Sequence, residues 1–177
     1  MNEKAEGREE AFESFYRAYG KRVYNYVYGT LLTRESAEDV TADVFIALWE
    51  HMERFQRQED IVRPWLFAVA RNMTLNWRKK AGVLREILQE EVPEESTNRL
   101  DWPGKDRSLS FPDDVRTEHI LQNLSQEERE LLSMRYGFAL TNAEIAGIKD
   151  VSENAVKLRF FRLLAKCRKL KDKKSKS

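Results

Sequence analysis

Apolar residues recur at three- and four-residue steps through most of this 177-residue chain, and the pattern breaks once, over residues 82–112. Steps of three and four put side chains on one face of an α-helix, whereas a half-buried strand needs steps of two. The break gathers Gly82, Pro93, Pro103, Gly104 and Pro112 around an acidic run of Glu90, Glu91, Glu94 and Glu95. So long a connection without periodicity is uncommon inside one compact domain. The expected architecture is therefore all-α: two small helical domains, residues 1–82 and 113–177, joined by an acidic linker over residues 83–112. Within that linker a short helix fits near residues 84–91. Composition agrees, because 7 Gly and 4 Pro leave few turns for a β fold.

In the first half, residues 9–32 place Phe12, Phe15, Tyr16, Tyr19, Val23, Tyr26 and Val27 on one helix face, with Gly20 as the point of possible interruption. Thr33 reads as the N-cap of the next helix. Its apolar stripe is Ala37, Val40, Val44, Leu48 and Met52, with Phe45 and Trp49 beside it. A polar connector, FQRQEDIV over residues 55–62, follows. Arg63 and Pro64 open another helix, since proline is tolerated in a first turn. Leu66, Val69, Ala70, Met73 and Trp77 share its inner face, and Arg78, Lys79 and Lys80 form a basic end that also suits the helix dipole.

In the second half, Ser125 and Glu128 have capping-box spacing, and so do Thr141 and Glu144. The first box opens a helix running to Tyr136 with Gly137 as its C-cap. The second opens a short helix that carries Ile145 and Ile148 inward. A turn around Lys149–Val151 leads to a final helix capped by Ser152 and striped with Val156, Phe160, Leu163, Leu164, Cys167 and Leu170. Residues 141–162 thus read as a helix-turn-helix. The N-terminal part of the second helix of such a motif enters the major groove.

Charge follows the same division. Residues 83–115 carry four Lys/Arg and nine Asp/Glu, and residues 116–177 carry fourteen and eight. From Asn154 onward there are ten cations and one acid, Asp172. Clustered cations beside a reading helix are what phosphate contacts require. A plain helical hairpin with a solvated basic face would show the same pattern.

Other classes find little support. Cys167 is the single cysteine, which excludes an intramolecular disulfide and fits a small core residue. The N-terminal MNEKAEGREEAF lacks the apolar run of a signal peptide. No segment approaches the ~18 apolar residues of a membrane span, so the chain reads as cytoplasmic. His51 and His119 stand on separate helices, and no Gly-rich phosphate loop is present. No cofactor, metal site, small-molecule substrate or enzymatic activity is expected.

The residues carry a resemblance. LSQEERELLSMRYGFALTNAEIAGIKDVSENAVKLRFFRLLAKCRKL, residues 124–170, resembles region 4 of the extracytoplasmic-function sigma factors. ESAEDVTADVFIALWEHMERF and RPWLFAVARNMTLNWRKK, residues 35–55 and 63–80, resemble region 2 of the same family. Two motifs in this order are specific together, and the resemblance covers roughly residues 10–170. It departs from the family at Asp150, where Gly is common, at Ala155 for Thr, at Leu158 for Ser, and at Asn76 for Asp.

The resemblance implies a subunit that brings core RNA polymerase to promoter DNA and is held inactive by an anti-sigma factor. It implies polymerase contacts at Asp39, Asp43, Phe45, Leu48 and Trp49. The −10 element would meet Phe55, Gln56, Arg57, Asp60, Arg71, Asn72, Asn76, Arg78, Lys79 and Lys80. The −35 element would meet Ser152, Glu153, Asn154, Lys157, Arg159 and Arg162. For the loop over residues 55–62 a plain polar connector with Phe55 capping the core is the competing reading; for Phe45, Leu48 and Trp49 a core position is, and for Leu48 it is the favoured one. Two other functions compete: a helix-turn-helix factor that binds operators without polymerase, and an adaptor that binds polymerase or an anti-sigma factor without reading DNA.

Overall fold

A computed structural model describes residues 3–55, 61–88 and 115–175. Among these residues there is no strand. Four helices stand in the first half: α1 (Glu3–Leu31), α2 (Arg34–Glu50), α3 (Met52–Phe55) and α4 (Val62–Leu88), which runs on through Gly82 so that residues 83–88 of the expected linker are part of it. Four stand in the second half: α5 (Val115–Gln122), α6 (Gln126–Leu132), α7 (Asn142–Lys149) and α8 (Glu153–Ser175), with a π-helical turn over Ser133–Gly137 between α6 and α7.

Helix α1 runs unbroken through Gly20. It ends where Leu32 takes a left-handed backbone (φ 63°) and its N–H donates to the Tyr28 carbonyl at 2.8 Å. Leu32 and Thr33 alone separate α1 from α2, so the two helices pack side by side. Thr33 stands at the N-cap without a side-chain capping bond. The inner faces of α1, α2 and α4 meet in a core of Val23, Val27, Val40, Val44, Leu48 and Leu66, closed at one end by Met52 and Phe55. Buried Thr30 and Thr74 satisfy their hydroxyls on carbonyls four residues back, Tyr26 at 2.9 Å and Ala70 at 2.7 Å. Trp65 packs with Phe55 (4.9 Å) and His51 (5.6 Å) as part of this structure.

The second half is built around Leu121, Leu131, Met134, Ile145, Val156, Phe160 and Leu163. Both capping boxes form as the spacing predicts, Ser125 with Glu128 and Thr141 with Glu144. Gly137 behaves differently from the expectation. The left-handed residue beyond α6 is Ala139 (φ 57°), not Gly137. Instead, a Cβ on Gly137 would stand 2.8 Å from the Tyr26 backbone nitrogen. The glycine is needed for close approach of the π-helical turn to α1.

That approach joins the halves. Phe138, fully buried, meets Tyr26 (6.0 Å) and Phe67 (5.2 Å) edge-on. Tyr26 and Phe67 also meet at 5.3 Å. Ion pairs flank these rings: Arg63 with Glu144, and Arg71 with Glu130 at 3.3 Å. Glu130 is buried and is held from its own half by Lys149. Its charge, together with burial, pushes the Tyr26 hydroxyl to a raised pKa, burial being the larger cause.

Candidate nucleic-acid interface

The expected −35 residues come together on the helix-turn-helix. Asp150 ends α7 in the left-handed region (φ 52°), reversing the chain where a glycine is usual. Val151 donates to the Ala146 carbonyl at 3.1 Å and packs on the core. The Ser152 hydroxyl then accepts the Ala155 N–H at 3.1 Å and starts α8. Arg135 braces the unit: its guanidinium lies over Phe160 (5.1 Å) and donates to the Leu140 carbonyl (3.0 Å) and to Asn142.

Val156, Phe160 and Leu163 point α8 inward, so its other side faces out. Ser152, Glu153, Asn154, Lys157, Arg159 and Arg162 are all exposed. Lys157 pairs with Glu153 at 3.3 Å, an exposed i,i+4 pair of small energetic weight. Exposed Arg168, Lys169 and Lys171 continue the basic surface, while Lys166 is tied to Glu128 at 2.6 Å. Two exposed apolar residues lie on this face: Leu158, the outward position where the family commonly has Ser, and Phe161, which the sequence reading leaves out. Subtracting the buried line from the helical wheel finds Phe161 as well.

On α4 the expected −10 residues divide. Asn72, Asn76, Lys79 and Lys80 are exposed along one side. Arg71 and Arg78 are half-buried at the edge that faces α6, where Arg71 already holds Glu130. Phe55 is fully buried in the core, so its ring is not available for stacking on a base. Gln56, Arg57 and Asp60 lie outside the described residues.

The expected polymerase residues on α2 divide likewise. Asp39 and Asp43 are exposed. Phe45 and Leu48 are buried, at 4% and 0% exposure, because their spacing with Val40 and Val44 turns them toward α1 and α4. They hold the helix and offer no outer surface. The outward line is Asp39, Asp43, Ile46 and Glu50, with Ile46 56% exposed. Trp49 flanks it, half-exposed, braced by the Arg8 guanidinium at 4.5 Å and the Phe12 ring at 5.3 Å. Ile46 too could have been found by completing the wheel.

Two family profiles match the chain: Sigma-70 region 2 over residues 15–83 and Sigma-70, region 4 over residues 115–167. The chain is similar to the ECF RNA polymerase sigma factor SigL of Mycobacterium tuberculosis, 31% identical over 137 residues, covering 75% of this chain and 73% of SigL. It is 24% identical over 156 residues to the ECF RNA polymerase sigma factor BldN of Streptomyces coelicolor, covering 88% of this chain and 58% of BldN. This chain therefore spans a little over half the length of that relative. Among solved structures, the sigma factor RpoE in complex with the anti-sigma factor NepR from Bartonella quintana superposes with a TM-score of 0.65. It is 20% identical, over 91% of this chain and 96% of that one. CnrH in complex with the cytosolic domain of CnrY gives 0.58 at 20% identity, over 95% and 94%. At these identities the two structures bear on the fold alone.

Proposed function

Because this chain belongs to the extracytoplasmic-function (ECF) RNA polymerase sigma factors, we propose that it is the promoter-specificity subunit of a bacterial RNA polymerase. The first half binds core polymerase and the −10 element; the second half reads the −35 duplex. The observation that carries this reading is α8: a capped helix whose buried line is satisfied and whose opposite side is exposed and flanked by cations. Such a helix fits the major groove, with lysines and arginines on phosphates and guanines, and Asn154 on an adenine.

On α2, the line Asp39, Asp43, Ile46 and Glu50 combines acids with an apolar centre, which suits a basic, partly apolar polymerase surface. On α4, Asn72 and Asn76 can read an exposed base edge while Lys79 and Lys80 hold the backbone of a single strand. Phosphodiester chemistry belongs to the polymerase, so the chain acts without catalysis of its own and works where polymerase does, in the cytoplasm. Among the described residues no helix is long and apolar enough to cross a membrane. An anti-sigma factor is the expected regulator.

Run-off transcription with core polymerase tests the reading. Discrete transcripts should require the chain and fade when Lys157→Ala and Arg159→Ala are combined. Stable polymerase binding without transcripts would point to an adaptor, and no polymerase binding would overturn the proposal.

A further inference from the structure

The most outward-facing position of α8 is neither charged nor polar. Each residue turns the helix by about 100°. Val156, Phe160 and Leu163, at 1%, 7% and 2% exposure, mark the inward direction. Leu158 then lies almost opposite, with Asn154 one turn before it and Phe161 and Arg162 one turn after. Leu158 is 50% exposed and Phe161 73%. Lys157, engaged with Glu153, and Arg159 lie to either side. The centre of the face is apolar and its margins are cationic.

The margins suit phosphates, which line both walls of a groove. The centre must meet base edges. In the major groove those edges are hydrogen-bonding groups with one alkyl exception, the C5-methyl of thymine. A leucine there gains by covering that methyl and loses by covering an amino or carbonyl group that water would otherwise satisfy.

We infer that Leu158 is a specificity-determining residue that packs on the 5-methyl of a thymine in the −35 element. Asn154, one turn earlier on the same line, donates to and accepts from an adenine nearby. Phe161 extends the apolar strip along the groove. The inference rests on the reading of α8 as the −35 reader, and it adds the base that the leucine selects.

Deoxyuridine tests it, because it differs from thymidine by the methyl alone. A promoter recovered by run-off transcription is remade with each −35 thymine, on either strand, replaced singly. Initiation is measured with core polymerase and the full chain. One position should lose about fourfold, the value of one buried methyl group. Leu158→Ser should initiate equally on the thymidine and deoxyuridine templates at that position. Because Leu158 is half exposed and stands outside the core cluster, circular dichroism of the variant should match the parent. If scrambling the −35 element lowers initiation but no replacement does, or if Leu158→Ser keeps the discrimination, the inference is overturned and the function stands. If scrambling has no effect, both fall.

Discussion

Glu144 takes part in two interactions that pull in the same direction. It accepts the Thr141 backbone N–H at 2.8 Å, completing a capping box, and it pairs with Arg63 across the two halves. The Thr141 backbone bond is the larger cause and the Arg63 side chain adds to it, so the carboxyl is held below its ordinary 4.5 in spite of partial burial. A depressed folded pKa contributes stability that is complete above the unfolded value and is lost as pH falls through the folded one. Glu144→Gln keeps an acceptor for the cap and removes the charge. The variant should therefore be less stable than the parent at neutral pH, with the gap closing as pH drops below 4.5. Urea midpoints measured from pH 7 to pH 3 check this. A gap independent of pH would show that the charge contributes nothing. Glu128 has the same sign: burial alone would raise it, but the bonds from Lys166 and Ser125 prevail. The box at Glu144 was legible because capping is local, set by a three-residue spacing. The partner Arg63 was not, since 81 residues separate the two. Gly137 shows the same limit: its local signal read as a helix end, and only the arrival of α1 explains it.

Among the elements, the turn between α7 and α8 is where local strain can be measured. Asp150 holds a left-handed backbone that a glycine adopts without a Cβ penalty. Asp150→Gly should leave stability unchanged or raise it by up to about 1 kcal/mol, and Asp150→Val should lower it, because β-branching resists positive φ. Thermal unfolding of the two variants decides it. Helix α2 separates fold from contact. Leu48→Ala should cost about 2–5 kcal/mol by leaving a cavity. Ile46→Ala, at an exposed site, should stay within about 0.5 kcal/mol of the parent yet weaken assembly with core polymerase. A loss of stability at Ile46, or intact assembly, would remove that residue from the contact surface. Apolar spacing along α2 made the buried line plain, and the outward line follows by subtraction. Motif letters shared with a family do not distinguish the two: they offer Phe45 and Leu48 as contacts, whereas the structure puts both in the core, the reading that spacing already favours for Leu48.

At the scale of the whole molecule, the second half covers one edge of α4 that the −10 reading assigns to DNA. The family resemblance assigns Arg71 to the −10 strand; here it holds Glu130, while Phe67, one turn before it, is covered by Phe138. Periodicity could not show this, because Phe67 and Arg71 sit at the margin of the α4 apolar stripe and nothing local says what covers a margin. One carboxylate of the second half thus occupies the place that the −10 reading gives to a phosphate, and one ring covers the surface beside it. The contact is substantial: truncating a fully buried phenylalanine costs about 3–5 kcal/mol, and the edge-on rings add to its area. Phe138→Ala should therefore release the halves. Small-angle scattering of the free chain should show a larger radius of gyration, and the chain should bind a single-stranded −10 oligonucleotide several-fold more tightly by fluorescence anisotropy. Glu130→Gln should move affinity the same way by freeing Arg71, with less change in dimensions because the aromatic contact survives. The added affinity should fall with salt, since it comes from cations returned to phosphates. If Phe138→Ala expands the chain without tightening strand binding, the covered edge of α4 is not where the strand lies, and Asn72, Asn76, Lys79 and Lys80 on the open side must suffice. If neither quantity changes, the rings contribute nothing to holding the halves together in solution.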